Sequence, residues 1–268
     1  MKKTSWSFVL CILMVLSLVG CGAGNAAQPP ANTAQTKPTE ITVSAAASLQ
    51  NSLDEVKKAY EQKNSNIKLT INYGASGTLQ QQIEQGAPVD LFISAGKAQV
   101  DALEQKNLTD KSSRIDLLGN DLVLITGKDN TKVTTLDDLT KSTVGHISIG
   151  TPKSVPAGQY AQEALTNLKL WDALQPKLVM AKDVTSVLNY VETGNADAGF
   201  VYKSDAQSST KVKVVEAVPA NSYKPVVYPA AIIAATKNKQ AAEDFLKYLQ
   251  GADAQKVFEK YGFKSLAK

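Results

Sequence analysis

From residue 41 onward, short apolar runs rich in Val and Ile alternate with longer segments of helical length and mixed polarity. The runs at 41–45, 67–73, 90–94, 122–126, 146–149, 177–180, 198–202 and 212–215 predict strands, and the segments 49–62, 78–85, 98–106, 157–168, 184–192 and 241–249 predict helices. This alternation signals βαβ units and parallel sheets, an α/β fold. The run 225–235 reads as a long strand or crossing segment, and only two helical stretches follow it, the second at 252–261. The chain is therefore expected to return and complete an earlier sheet. Two lobes with a cleft between them follow, one from 40–120 plus 227–268 and the other from 121–226, with ligand at the carboxyl ends of the strands where helices begin. No internal repeat at a fixed period is present.

The first 20 residues follow a different pattern. A basic start, Met1-Lys2-Lys3, precedes an apolar run over 8–16 and the stretch Leu18-Val19-Gly20-Cys21, the layout of a lipoprotein export signal. The apolar run is shorter than the ~20 residues a membrane-spanning helix needs. Cleavage before Cys21 and acylation of its thiol are expected, placing the mature chain outside the cytoplasm on a membrane. ATP-driven, DNA-binding and cytosolic metabolic roles do not suit that location. Residues 22–39, GAGNAAQPPANTAQTKPT, contain no aromatic residue and no Leu, Ile or Val, so they cannot bury enough apolar surface to offset the entropy of ordering. They read as a tether, with a root-mean-square span of roughly 20–25 Å as a random coil.

Charge and cysteine content narrow the picture further. Loss of Lys2 and Lys3 with the signal reduces 29 basic residues to 27 against 25 acidic ones, a near-neutral balance that gives no field to attract nucleic acid. Cys11 is lost with the signal as well, so the mature chain keeps Cys21 alone and has neither a disulfide nor a thiolate metal site within one chain.

Candidate chemistry lies between strands and helices. In Ala45-Ala46-Ala47-Ser48-Leu49 a serine follows small residues and opens a helix, and Gly74-Ala75-Ser76-Gly77-Thr78 repeats the arrangement with glycines that permit close backbone approach. In Val155-Pro156-Ala157-Gly158 a proline leads into Ala157, and in Lys182-Asp183-Val184-Thr185 an aspartate in N-cap position precedes Val184. Each turn taken alone is an ordinary helix start. Together they present unbonded N–H groups and about half a positive charge per helix N-terminus, and several converging on one cleft bind an anion without Lys or Arg.

These residues resemble the molybdate-binding proteins of bacterial molybdate ABC importers. The matching stretches are ITVSAAASL from Ile41, GASGTLQQQIEQGAPVDLFISA from Gly74, LLGNDLVLI from Leu117, VPAGQYAQEAL from Val155, KDVTSVLNYVETGNADAGFVYKSDA from Lys182 and FEKYGF from Phe258. The resemblance implies two α/β lobes joined by crossing strands, the type II arrangement of periplasmic binding proteins. It also implies a bound molybdate or tungstate, hand-over to a membrane permease driven by a separate ATPase, a monomeric chain, and no cofactor. Carried over by position, the oxyanion contacts fall on the hydroxyls and amides of Ser48 and Ser76, the amides of Ala157 and Val184, and the hydroxyl of Tyr202. Without the resemblance, Tyr202 reads as a half-buried strand aromatic. Gly77 stands where some relatives have a third hydroxyl residue, and Thr151 stands where an aspartate is frequent.

Other readings remain open at this level. Sulfate has the charge and shape of molybdate but is smaller. Phosphate is partly protonated and calls for an acceptor such as Asp, and Asp183, the one carboxylate near a turn, is assigned to capping. A hydrolase lacks support, because Gly74-Ala75-Ser76-Gly77 does not have nucleophile-elbow spacing and the single histidine, His146, has no evident acid partner. No His, Cys or carboxylate spacing suggests a bare metal ion. Long aromatic surface patches would favour a scaffold or adhesion protein, but the aromatic content is only 6%.

Overall fold

The structure, a computed structural model, describes residues 37–267. The export signal, Cys21 and nearly all of the tether lie outside the described residues.

The first sheet is built around β1 (Thr39–Ala46), which pairs in parallel with β2 (Ile67–Gly74) on one side and β3 (Leu91–Ile93) on the other. The alternation Ile41-Thr42-Val43-Ser44-Ala45 puts fully buried Ile41, Val43 and Ala45 on one face, and toward the carboxyl end the other face is covered as well, with Ser44 and Ala46 buried. β10 (Val226–Ile232) runs antiparallel beside β3 and β4 (Ile115–Asn120), and a two-residue β11 (Lys264–Ser265) closes the edge on β4. The second sheet contains β5 (Leu122–Gly127), β6 (Ile147–Gly150), β7 (Leu178–Ala181), β8 (Ala198–Tyr202) and β9 (Val212–Ala217), in the order β7-β6-β8-β5-β9. The two sheets are the cores of two lobes, as the alternation of elements predicts.

The chain crosses between the sheets twice. Only Asp121 separates β4 from β5, and the return runs from β9 to β10. The first crossing is braced, because the Leu122 N–H donates to the Tyr223 hydroxyl at 3.0 Å and Lys264 pairs with Asp121 at 2.6 Å. β4 was not among the predicted strands; Gly119-Asn120-Asp121 is the break before β5, but Ile115-Asp116-Leu117-Leu118 is too short an apolar run to stand out as a strand of its own. Three more short elements also escape the pattern: α5 (Trp171–Leu174), α7 (Lys203–Gln207) and β11. None is long enough to repeat a period.

The other helices are α1 (Gln50–Lys63), α2 (Ser76–Glu84), α3 (Lys97–Gln105), α4 (Pro156–Asn167), α6 (Val184–Glu192), α8 (Lys239–Gln250) and α9 (Ala252–Lys260). Their buried residues follow helical spacing; in α8 these are Ala242, Phe245, Leu246 and Leu249. The predicted start at Leu49 becomes a 3-10 turn over Ala47–Leu49 leading into α1, and α2 begins at Ser76 rather than Thr78. Both shifts set a candidate serine inside a first turn. His146 is exposed, directly ahead of β6.

The first turn of α4 lies unusually close to the end of β6. A Cβ placed on Gly158 would stand 1.9 Å from the Gly150 carbonyl oxygen, so only glycine allows this helix start to sit on its strand. Gly158→Ala is therefore expected to destabilise the fold by about 1–3 kcal/mol, the usual scale of overpacking. Urea denaturation checks it, and a variant with parental stability would show that α4 is free to shift.

Candidate functional site

The strand ends of both sheets deliver helix starts to one place. A cavity of about 10 Å³, close to the space one water centre needs, is lined by Ser48, Ser76, Ala157, Val184 and Tyr202 together with Ala95, Pro156, Asp183 and neighbouring small residues. All five residues singled out in the sequence thus surround one cavity, two from the first lobe and three from the second. No Lys or Arg is among the lining residues.

Three of the five present an amide that their own helix cannot bond. Ser76 and Val184 are the first residues of α2 and α6, and Ala157 follows the proline that opens α4. The proline has no N–H, so Ala157 carries the first donor of that helix. Asp183 is the N-cap of α6, its Oδ1 accepting from the Ser186 N–H at 2.7 Å, which is the capping role its position predicts. Ser48 sits in the 3-10 turn ahead of α1, and its amide likewise has no partner within the turn.

Each of the three hydroxyls has a fixed partner beside the cavity. Ser76 Oγ accepts from the Ala95 N–H at 3.0 Å. Ser48 Oγ lies 2.8 Å from Tyr228 Oη, which is also 3.5 Å from Asn120 Nδ2. Asn120 Nδ2 can only donate, so Tyr228 accepts from it, and the bond between Tyr228 and Ser48 ties the two hydroxyls together. The same amide group donates to Ser204 Oγ at 2.8 Å. Tyr202 is fully buried and its hydroxyl donates to the Ala95 carbonyl through a long 3.4 Å bond. Burial pushes the Tyr202 and Tyr228 hydroxyls well above the usual phenol range, so both stay protonated and able to donate.

The supporting residues Tyr228, Asn120, Ala95 and Asp205 were not identified from the sequence. Tyr228 carries a weak signal, a phenol inside the otherwise aliphatic run at 226–232, whereas Ala95 has none because it acts through its backbone. Asp205 lies behind Tyr202, its Oδ2 accepting from the Tyr202 N–H at 3.0 Å. Burial, with a smaller contribution from nearby Asp183, pushes its carboxyl up to about 7, against the pull of that N–H bond. Among the described residues, no group of three or more His, Cys, Asp or Glu is placed to hold a metal ion.

A two-lobed α/β chain with neutral donors facing a cleft belongs to the class of solute-binding proteins. The family described as bacterial extracellular solute-binding protein matches residues 41–264, and the chain belongs to it. Such proteins are transport components, not enzymes. The chain is 44% identical to a Bacillus subtilis protein provisionally named as an ABC transporter substrate-binding lipoprotein, over 96% of each chain. It is 42% identical to the molybdate-binding protein of Haemophilus influenzae, covering 84% of this chain and 89% of that one. Among solved structures, the periplasmic molybdate-binding protein of Azotobacter vinelandii superposes with a TM-score of 0.77 at 27% identity, over 83% of this chain and 98% of that one.

Two predictions follow from the supporting layer. Tyr228→Phe removes the hydroxyl that holds Ser48 Oγ and is expected to weaken anion binding about tenfold while the fold survives, since a hydrogen bond to a charged partner contributes about 1.5–3 kcal/mol; calorimetry checks it. Folded Asp205 holds its proton to about pH 7, whereas an ordinary aspartate loses it near 3.8. The folded state therefore carries the extra proton between those values, and stability falls as pH rises through that window. Asp205→Asn, which keeps an acceptor for the Tyr202 N–H, is expected to flatten this fall in melts between about pH 4 and 8. Parallel pH profiles for variant and parent would refute it.

Proposed function

We propose that this chain captures molybdate, and tungstate by the same contacts, outside the cytoplasm and delivers it to an ABC importer. The observation that carries this reading is the cavity where Ser48, Ser76, Ala157, Val184 and Tyr202 meet without a cationic side chain. Molybdate and tungstate are fully ionised at neutral pH, so every ligand oxygen is an acceptor and only donors help. Neutral amides and hydroxyls fixed at helix starts supply those donors, and each bond to the dianion contributes about 1.5–3 kcal/mol. Five to eight such bonds support tight binding after the anion has been desolvated. Asp183, the carboxylate at the cavity edge, caps α6 through Oδ1, which accepts the Ser186 N–H.

Delivery requires that the protein stay near its permease. Acylation of Cys21 and the tether that follows would hold the folded part at the outer membrane face, a reading supported by the export-signal layout and by the name of the Bacillus subtilis relative. The lobes would run over 40–120 with 227–268 and over 121–226, the chain acting as a monomer.

Thermal unfolding with molybdate, tungstate, sulfate and phosphate tests the cargo. A ligand at a hundred times its dissociation constant adds ~2.7 kcal/mol of stability. Molybdate and tungstate are expected to raise the melting temperature and the other two to do so weakly; a larger shift with sulfate or phosphate would reassign the cargo. Ser48→Ala and Ser76→Ala are expected to weaken molybdate binding at least about tenfold, whereas Val184→Ala, which keeps the N–H, should change it little. Calorimetry of both serine variants at parental affinity would remove those side chains from the site.

A further inference from the structure

Gly77 is the second residue of α2, one position beyond the candidate contact Ser76. Its N–H is a first-turn donor and has no partner within the helix. It does not face the cavity. It donates instead to the Ser154 carbonyl at 2.9 Å, across the cleft from the first lobe to the second. The accepting group is held rigidly, because the Thr151 carbonyl accepts from the Ser154 N–H at 3.0 Å and from the Val155 N–H at 2.9 Å. Thr151 is itself tied to β7, its N–H and its hydroxyl both donating to the Ala181 carbonyl.

The approach at this point is closer than any side chain permits. A Cβ on Gly77 would stand 2.6 Å from the Ser154 oxygen and 2.9 Å from its Cα, against 3.4–4 Å for ordinary contact. Both atoms are backbone, so no side-chain rotation relieves the clash. Nearby, Gly96 of the first lobe meets Pro156 of the second, where an added Cβ would lie 3.2 Å from the proline Cβ. The Tyr202 to Ala95 bond crosses between the lobes beside them. These contacts form one seam along the cavity.

We infer that the Gly77 to Ser154 backbone bond is the clasp that keeps the two lobes shut over the bound oxyanion, and that glycine at 77 sets how long the anion is retained. This inference rests on the oxyanion reading above. The first-lobe donors, Ser48 and Ser76, and the second-lobe donors, Ala157, Val184 and Tyr202, reach one anion only while the lobes meet at the seam. Moving Ser154 from 2.6 Å out to ordinary contact distance separates the two donor sets, and bonds near 2.9 Å weaken steeply as they lengthen. Opening also admits water, which competes for every donor. Because the seam forms after the anion has entered, the loss falls on dissociation rather than association.

Stopped-flow measurement of molybdate release from the parent, Gly77→Ala and Gly77→Ser proteins tests the clasp. Both variants are expected to release the anion at least about tenfold faster, with association rates close to parental. Gly77→Ser is the sharper variant, since it sets the same Cβ against the Ser154 backbone while adding a hydroxyl to the first turn of α2. If the number of donors governed retention it would slow release, and release from Gly77→Ser at or below the parental rate would overturn the clasp. Should either substitution prevent folding, amide hydrogen exchange of the parent decides: the Gly77 N–H is expected to be protected with molybdate bound, and free exchange there would refute the bond. A parent that binds no molybdate would sink the cargo reading alone. The clasp would then be judged by Gly77 protection with whichever of tungstate, sulfate or phosphate raises the melting temperature, and free exchange would again refute it.

Discussion

An α-helix cannot bond the amides of its own first turn, and this chain brings several such turns from two separate sheets to one point. Everything distinctive about the site depends on that constraint. The amides of Ser76, Ala157 and Val184 have no intrahelical partner, and the strands before them end at the same cavity. Their partial positive charge is part of the backbone, so it neither titrates nor moves with a side-chain rotamer. A site of this kind selects for acceptors without placing a Lys or Arg inside a cleft that must be dry when closed.

A second layer fixes what the backbone leaves free. Hydroxyl groups rotate, and a serine aims its proton only if another group occupies its lone pairs. Ala95 does this for Ser76, while Tyr228, itself bonded to Asn120, ties down the Ser48 hydroxyl. Burying this many polar groups is favourable only because nearly all are bonded. Asp205 is the exception in kind, a carboxyl in a dry setting that keeps its proton more readily than an exposed one. Its bond to the Tyr202 N–H anchors the end of β8, which aims the tyrosine at the cavity.

Much of this was legible along the chain. The apolar runs located β1, β2, β5, β6 and β8, and the spacing of apolar residues located α1, α3, α4 and α6 to within about three residues, because each element buries a whole face and that face leaves its period in the sequence. The turns at Ser48, Ser76, Ala157 and Val184 were visible as small residues, a proline and a capping aspartate at strand-to-helix junctions. β4 was not visible, since Ile115-Asp116-Leu117-Leu118 is short and only the packing assigns it and β5 to different sheets. α5, α7 and β11 were too short to repeat anything.

The sequence alone therefore determined the α/β class, the order of its main elements and the local chemistry of each helix start, because these depend on neighbours within a few residues. Only the tertiary structure decided that four distant turns face one cavity, that Tyr228 stands 180 residues from the serine it orients, and that Gly77 spends its amide on the opposite lobe. Such facts depend on distances between residues far apart in the chain. No local pattern records them, since an unbonded N–H looks the same in sequence whether it meets a ligand, water or a carbonyl of the other lobe.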